Sequence, residues 1–201
     1  SVLNADDKTI IGSPHPDFTF GVNLRCRYRG FDLTMFWQGI YGSEIFSSLT
    51  NHFLGGNPST NFHTDALDAY RSPSDDGSDM GNTDTRIPRL DGGQENQNFR
   101  ISDLYIMDGS YLRLKNVQLG YTLPGSLVSL AGISRFRIYV AAQNLLTFTS
   151  YRYGYEPEIG RSYNYYGLAQ EKFNQSTLEL AIDRGVYPQA RTYMVGLNVT
   201  F

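Results

Sequence analysis

The feature that most constrains the fold is a strict alternation of side chains in the segment RTYMVGLNVTF, at residues 191–201. Every second position there is apolar or aromatic: Tyr193, Val195, Leu197, Val199 and Phe201. Successive side chains of a β-strand point to opposite faces, so a period of two predicts a strand with one apolar face and one wet, polar face. Four earlier segments alternate in the same way.

The alternation predicts five strands, at about 17–28, 31–41, 110–123, 135–148 and 191–201. Only Arg29 and Gly30 separate the first two strands, which favours a tight hairpin. In the third strand Arg113 and Lys115 are in phase with the apolar Val117. The first half of that strand therefore either rises above the apolar zone or contains a β-bulge.

The connections between the predicted strands alternate between short and long. Short ones fall at 29–30 and 124–134, and long ones at about 1–16, 42–109 and 149–189. The short connections then share one end of the sheet and the long ones share the other, as in transmembrane β-barrels. We therefore expect an all-β fold, an antiparallel transmembrane β-barrel segment with long extracellular loops. A β-sandwich also alternates and is the alternative.

Composition excludes several other classes of protein. The net charge is −3, which gives no electrostatic reason to expect nucleic-acid binding. Cys26 is the single cysteine, so neither an internal disulfide nor a thiolate metal cluster is possible. His15, His52 and His63 lack the spacing of metal ligands. We expect no cofactor and no metal.

Five strands with an outward apolar face cannot close a barrel in lipid, because known bacterial barrels begin at about eight strands. Unpaired edge amides in hydrocarbon cost several kcal/mol each. The missing strands are therefore expected N-terminal to this chain in one longer polypeptide. The first residues, SVLNADDKTIIGSPHPDF, have neither the basic start nor the apolar core of a signal peptide and are interpreted as the middle of a loop.

Particular strings resemble the closing segment of the SusC/RagA-type TonB-linked outer-membrane proteins. The strings are IIGSPHPDFTFGVNLRCRYRGFDLTMFWQG (10–39), YLRLKNVQLGYTLP (111–124), ISRFRIYVAAQNLLTFT (133–149), YEPEIG (155–160) and YPQARTYMVGLNVTF (187–201). The resemblance implies the last five strands of a barrel of about 22 strands with a plugged lumen. The plug, the TonB box and the earlier strands are then expected upstream of residues 1–201.

The family resemblance also implies a function. Such proteins import nutrients across the outer membrane of Gram-negative bacteria with energy passed through TonB, under a SusD-type surface lipoprotein that forms a lid. We expect an oligosaccharide as the solute and a peptide as the alternative, with outer-membrane lipids around the barrel and no enzymatic activity. The rival interpretations are a passive channel or adhesin barrel and a soluble β-sandwich carbohydrate-binding module.

The loop at 149–189 provides the candidate contacts to ligand or lid, because aromatic faces stack on sugar rings. The candidates are Tyr151, Tyr153, Tyr155, Glu156, Tyr163, Tyr165 and Tyr166. The alternative is that these tyrosines pack the loop itself. Glu156 and Glu158 form a carboxylate pair, but no further catalytic group is evident, so we expect Glu156 to pair instead with Arg152 or Arg161.

Three further sets of residues complete the sequence-based expectations. The wet-face residues Arg25, Arg27, Asp32 and Arg137 are expected to line the lumen, whereas Cys26 is in phase with the apolar face. By resemblance to the family, the alternation that ends at Phe201 is a signal for the barrel-assembly machinery. A loop with Asp75, Asp76, Asp79 and Asp84 is either solvated or, as the alternative, a calcium site.

Overall fold

The structure is a computed structural model that describes residues 8–54, 61–74, 77–90, 98, 100–129, 132–160 and 180–201. Five long strands dominate it: β1 (Phe18–Tyr28), β2 (Phe31–Tyr41), β5 (Tyr111–Thr122), β6 (Arg135–Thr149) and β8 (Thr192–Thr200). Three shorter strands lie in the connections: β3 (Glu44–Ser47), β4 (Ile106–Asp108) and β7 (Ile182–Asp183). The long strands occupy the segments in which the sequence alternates.

The long strands form one antiparallel sheet in the order β1-β2-β5-β6-β8. At one end of the sheet, which we call the turn end, Arg29 and Gly30 join β1 to β2 with positive φ angles of 47° and 88°. Positive φ at both central residues fits the right-handed twist of a two-residue hairpin. The Thr122 amide donates to the Gly30 carbonyl at 2.8 Å, which attaches the turn to β5. The opposite end, with the long connections, is the loop end.

The register brings the apolar side chains of neighbouring strands onto one face. Val22 lies opposite Trp37, Leu33 opposite Leu119, and Val140 opposite Val195. These side chains are not covered by another layer: Val195 is 78% exposed and Leu197 60%. A sheet with a continuous, uncovered apolar face is the outer wall of a partial transmembrane barrel, as the alternation predicts.

A bulge on β5, near the loop end, explains why Arg113 and Lys115 are in phase with the apolar Val117 in the sequence. Between the same two rungs of the ladder, β2 advances by one residue from Phe36 to Trp37, while β5 advances by two from Asn116 to Leu114. Each extra residue reverses the facing of all that follow. Arg113 therefore lies on the wet face, opposite Gln38. Of the two alternatives left open by the sequence, the bulge is the one observed.

On β6 the corresponding step is longer again, from Gln143 to Leu146, and Asn144 there has φ 50°. Asparagine tolerates this left-handed conformation better than most residues. The Asn144 side-chain amide donates to the Ala190 carbonyl at 3.1 Å, just before β8 begins.

The connections at the loop end are more ordered than the sequence suggested. Within 42–109 the structure has β3, β4, helix α1 (Ser48–Leu54) and two 3₁₀ turns, at Thr64–Asp68 and Asp103–Tyr105. His63 caps the first of these 3₁₀ turns, because its ring accepts a hydrogen bond from the Asp65 amide. Within 149–189 the short strand β7 pairs with β3.

A small core lies in this loop region. Strands β4, β3 and β7 form a second sheet, and Ile45, Tyr151 and Ala181 are buried together beside it. The short α2 (Gly125–Val128) fills the turn-end connection between β5 and β6. Among the helices of the described residues, none is long and apolar enough to cross a membrane.

Candidate functional site

A buried ionic cluster connects the wet face to the loops at the loop end. Arg113 on β5 donates a hydrogen bond from Nη2 to Glu156 and another from Nη1 to Glu158, the latter at 3.0 Å. Its Nε donates to the Thr147 hydroxyl on β6 at 3.0 Å. The Arg113 and Glu156 side chains are each 3% exposed. A charge buried this deeply is stable only when it is paired and hydrogen-bonded.

The same carboxylates bind the segment that leads into the last strand. Lys115 Nζ lies 2.6 Å from Glu158 Oε2 and 3.0 Å from Gln189 Oε1. The Gln189 amide donates to Glu156 Oε2 at 3.0 Å, and its side chain donates to Glu158 Oε2 at 2.9 Å. We call Arg113, Lys115, Glu156, Glu158 and Gln189 the loop-end cluster. It joins β5, the Glu-Pro-Glu loop and the approach to β8.

The structure corrects the expected partner of Glu156. Arg113 fills that role in place of Arg152, and Arg161 lies outside the described residues. Both Glu156 oxygens accept hydrogen bonds, one of them also from the Glu158 amide at 2.9 Å. Glu156 is 2% exposed, so the described structure uses it to position the loop.

The loop tyrosines differ in their surroundings. The Tyr151 hydroxyl donates to the buried Asp183 at 2.5 Å, and burial together with this bond raises the Tyr151 pKa. The Tyr153 hydroxyl donates to Asp65 at 2.5 Å. Burial, reinforced by this bond to a carboxylate, raises the Tyr153 pKa to about 12. Both hydroxyls remain protonated donors at physiological pH and fasten separate loop segments together.

Among the loop candidates that the structure describes, Tyr155 faces outward, at 66% exposed. Beside Tyr153 lies an open cleft of about 520 Å³, lined by Asp65, Asp68 and Arg86 among others. The candidates Tyr163, Tyr165 and Tyr166 lie outside the described residues. Of the sequence candidates, the structure thus shows Tyr151 and Glu156 packed inside the loop and Tyr153 at the border of a cleft.

A second ionic cluster lies on the wet face at the turn end. Arg137 on β6 donates to both oxygens of Asp32 on β2, at 2.8 and 2.5 Å. To reach β2 the guanidinium crosses Gly120 on β5, where an added Cβ would lie 2.3 Å from Arg137 Nη2. Glycine therefore leaves the space in which the ion pair forms. Arg137 also lies over the Tyr139 ring, 5.1 Å from its centroid.

Arg27 faces the same surface, because it is paired with Asp32 across the first hairpin. We call Arg27, Arg29, Asp32, Arg135 and Arg137 the turn-end cluster, since they line one cleft of about 490 Å³. Arg25 lies one rung further along the wet face, opposite Thr34.

The remaining sequence candidates occupy the expected faces or lie partly outside the described residues. Cys26 is exposed in the apolar row, opposite Leu33. The terminal apolar residues are exposed on the same face: Tyr193 69%, Val195 78%, Leu197 60%, Val199 40% and Phe201 87%. Asp75 and Asp76 fall outside the described part of the chain, and within that part no three His, Cys, Asp or Glu side chains come close enough to hold a metal ion.

Sequence reasoning missed Arg113, Lys115 and Gln189 as partners of the two glutamates. A signal for two of them was present, because two basic residues interrupt an otherwise apolar row. A basic side chain in that row requires an acidic partner or a change of facing, and here it has both. Gln189 carried no comparable signal.

No protein-family model matches the chain, but individual proteins do. TonB-dependent receptor P3 of Formosa agariphila is 38% identical over 99% of the chain and 18% of the relative. Receptor P26 of the same organism is 30% identical over 100% of the chain and 18% of the relative. TonB-dependent receptor SusC of Bacteroides thetaiotaomicron is 22% identical over 99% of the chain and 16% of the relative. The chain thus spans less than a fifth of these relatives.

Solved structures agree with the sequence relatives. The structure of the RagAB peptide transporter matches with a TM-score of 0.74 at 26% identity, over 100% of this chain and 19% of that one. The RagAB peptide importer in its "open-open" state matches with a TM-score of 0.70 over the same shares.

A two-faced antiparallel sheet with an uncovered apolar side and long connections at one end defines the wall of a membrane β-barrel. The resemblance found in the sequence is confirmed by relatives and structures that match along the whole chain. The chain belongs to the TonB-dependent receptors of the SusC/RagA type and is one segment of such a receptor. The proteins of this family are receptors and transporters rather than enzymes.

Proposed function

We propose that the complete receptor lies in the outer membrane of a Gram-negative bacterium, as a multi-pass barrel, and imports a nutrient by TonB-dependent active transport. One observation carries the proposal. Over 99% of its length this chain is 38% identical to a TonB-dependent receptor, and it folds into a wall with one apolar face and one wet face. The wet face lines the path of the solute, and the apolar face contacts outer-membrane lipids.

The proposal includes the partners of the receptor. TonB acts through the part of the polypeptide outside this chain, and a SusD-type surface lipoprotein covers the loop end as a lid. The small core under β3, β4 and β7 gives the lid a rigid surface instead of loose loops. The barrel-assembly machinery recognises the exposed apolar row that ends at Phe201.

For the solute we propose an oligosaccharide. The loop around Tyr155 supports this, because an exposed aromatic face stacks on sugar rings at low entropic cost and its hydroxyl hydrogen-bonds them. A peptide is the second candidate, since the structural neighbours are described as a peptide importer and a peptide transporter.

Uptake by cells that carry the full-length receptor tests the proposal. We expect labelled oligosaccharides to enter wild-type cells and to be excluded when the receptor gene or the TonB box is deleted. Entry that persists without TonB would contradict active import and favour a passive channel. TonB-dependent entry of labelled peptides alone would replace the oligosaccharide with the second candidate.

A matched pair of loop variants tests the proposed contact. Tyr155→Ala should reduce oligosaccharide uptake more than Tyr187→Ala, which removes another exposed tyrosine, 87% exposed, from the segment before β8. Equal losses in the two variants would remove Tyr155 from the ligand path.

A further inference from the structure

Tyr155 combines an exposed ring with a closely held backbone. Its side chain is 66% exposed, whereas the next residue along the chain, Glu156, is 2% exposed. Pro157, which follows, is also buried. The ring of Tyr155 thus projects from a stretch of chain whose neighbouring side chains are packed, so the direction of the ring is set by what holds those neighbours.

The residues before Tyr155 are held by a buried ring. The Tyr151 hydroxyl donates to the buried Asp183 at 2.5 Å, and Tyr151 itself is 7% exposed. The backbone of Gly154 passes so close to this pair that a side chain at position 154 would collide with the Tyr151 ring and the Asp183 carboxylate. The chain therefore approaches Tyr155 along a fixed path.

The residue after Tyr155 is held by Arg113. Arg113 Nη2 donates to Glu156 Oε1, and the Gln189 amide donates to Oε2 of the same carboxylate at 3.0 Å. Pro157 adds a backbone restriction, because the residue before a proline is largely limited to extended conformations. Glu156 can move only if its pair with Arg113 breaks, and breaking a buried ion pair is strongly unfavourable.

An aromatic ring that is held in this way is suited to binding. Ordering a mobile side chain or loop during association consumes part of the binding free energy, and a contact that is fixed beforehand avoids this cost. Anchors on both sides of Tyr155 therefore increase what its exposed face can contribute to the affinity for a ligand.

We propose that Arg113 is a positioning residue for solute binding: through Glu156 it fixes the direction in which the Tyr155 ring faces the ligand path. Arg113 does not itself touch the solute, because its side chain is 3% exposed. The inference rests on the proposed function, in which the Tyr155 ring stacks on a sugar, and it adds the residue that determines how tightly that ring binds.

The double variant Arg113→Met/Glu156→Met separates positioning from stability. It removes both charges, so no buried ion is left unpaired and the receptor should stay folded. The hydrogen bonds to Glu156 are nevertheless lost, so Tyr155 is no longer fixed. Arg137→Met/Asp32→Met removes the ion pair at the turn end and is the matched control. Heat-modifiable migration on gels checks that each full-length variant is folded.

Fluorine NMR of the full-length receptor in lipid nanodiscs measures how firmly the ring is held, without any solute. 3-Fluorotyrosine is incorporated at position 155 alone. We expect a broad signal in the wild type, because a rigid ring tumbles with the whole particle. In Arg113→Met/Glu156→Met the signal should narrow and shift towards that of free 3-fluorotyrosine. The turn-end control should keep the wild-type signal.

Uptake of 2-aminobenzamide-labelled oligosaccharides measures the consequence for binding. Arg113→Met/Glu156→Met should raise the half-saturating concentration by about two- to tenfold, as expected when a side chain must be ordered on binding, with the maximal rate per surface receptor unchanged. The same change should have no further effect in a Tyr155→Ala receptor, because Arg113 acts through that ring. A purely structural role would instead lower the maximal rate, and equally in both backgrounds.

Three outcomes would overturn the inference alone. The double variant could keep the wild-type fluorine signal, it could leave the half-saturating concentration unchanged, or it could raise that concentration equally without Tyr155. Normal uptake by Tyr155→Ala itself would overturn both the sugar contact in the proposed function and the role of Arg113 in binding. Uptake by Tyr155→Ala therefore distinguishes a failure of the proposed contact from a failure of this inference.

Discussion

The loop-end and turn-end clusters lie on the same wet face of one sheet, yet they differ in how far their positive charges are paired with carboxylates. At the loop end Arg113 and Lys115 meet Glu156 and Glu158 within the described residues, and Arg113 is almost completely buried. At the turn end three of the arginines are exposed and have no acidic partner among those residues. The first cluster is complete and stabilises the wall. The second leaves positive charge exposed on the wet face.

The largest effect is expected when the buried guanidinium of Arg113 is removed from the loop-end cluster. Arg113→Met leaves the Glu156 carboxylate buried without its guanidinium partner, and breaking a buried pair in this way costs about 3–5 kcal/mol. We expect that loss in the free energy of unfolding of the full-length receptor, measured in urea after refolding into lipid vesicles. Hydrogen exchange should also rise around Gln189, which Glu156 binds.

Two controls accompany this variant. Arg113→Met/Glu156→Met removes both charges and should recover most of the loss, because an apolar pair needs no compensation. Asp84→Ala, at an exposed loop carboxylate, should leave stability nearly unchanged. An Arg113→Met receptor as stable as the Asp84→Ala receptor would contradict the structural role of the cluster.

The next effect concerns the ion pair between Arg137 and Asp32 in the turn-end cluster. Gly120→Ala places a methyl group where the Arg137 guanidinium crosses β5, so the ion pair with Asp32 must shift or break. Crowding of this kind costs about 1–3 kcal/mol, measured as a lower temperature at which the folded band disappears on gels. Gly125→Ala is the control, since no atom lies within 4 Å of its added Cβ. Equal stability of the two variants would show that Arg137 relaxes freely.

A single hydrogen bond to a carboxylate in the loops should have an intermediate effect. Tyr153→Phe removes the bond to Asp65 and should cost about 1.5 kcal/mol, measured by thermal unfolding of the full-length receptor. Tyr155→Phe removes the hydroxyl of an exposed tyrosine instead and serves as the control. If both variants behave alike, the Tyr153 bond contributes nothing to loop docking.

The same bond has a defined pH dependence. The Tyr153 pKa is raised from 10.0 to about 12 in the folded state, so the unfolded chain loses this proton first as the pH rises. The contribution of Tyr153 is therefore complete below pH 10 and is lost between about pH 10 and 12. The difference between wild type and Tyr153→Phe should be constant from pH 7 to 9 and should shrink above pH 10. A difference that grows above pH 10 would reverse the assigned sign.

The smallest effect belongs to the open side of the turn-end cluster. Arg135 is exposed and forms no salt bridge with the described residues, so Arg135→Gln should change the free energy of unfolding by no more than about 0.5 kcal/mol. Arg137→Gln, two residues along the same strand, should cost clearly more because it leaves Asp32 without its ion pair. Similar values for the two variants would show that the ion pair of Arg137 contributes no more to stability than the exposed Arg135 does.

The strands could be predicted from sequence because an alternation of two is a local property. Side chains of Val195, Leu197 and Val199 lie on the uncovered apolar face without needing a particular partner, so no distant residue enters the prediction. The short hairpin was equally local, since Gly30 favours a two-residue turn through its own backbone freedom.

The loop end could be predicted only in part, because its contacts join residues far apart in the sequence. Arg113 and Glu156 are 43 positions apart, and neither residue's neighbours specify the other. The expectation that Glu156 pairs with an arginine of its own loop followed sequence proximity, whereas the structure pairs Glu156 with Arg113 on β5. The ordered strands β3, β4 and β7 are too short for periodicity to reveal them. They depend on distant pairing, since Phe46 of β3 pairs with Ile106 of β4 and with Ile182 of β7.

The bulges on β5 and β6 have a consequence for how such a wall can change in length. The ladder between β6 and β8 ends at Gln143 and Thr192, immediately before the extra residues of β6 begin. Insertions and deletions beyond that boundary therefore alter the loops without displacing the paired rungs below it. The bulges thus separate a five-stranded part of the wall from a narrower part, in which β5 still pairs with β2 and β6 but β8 no longer takes part.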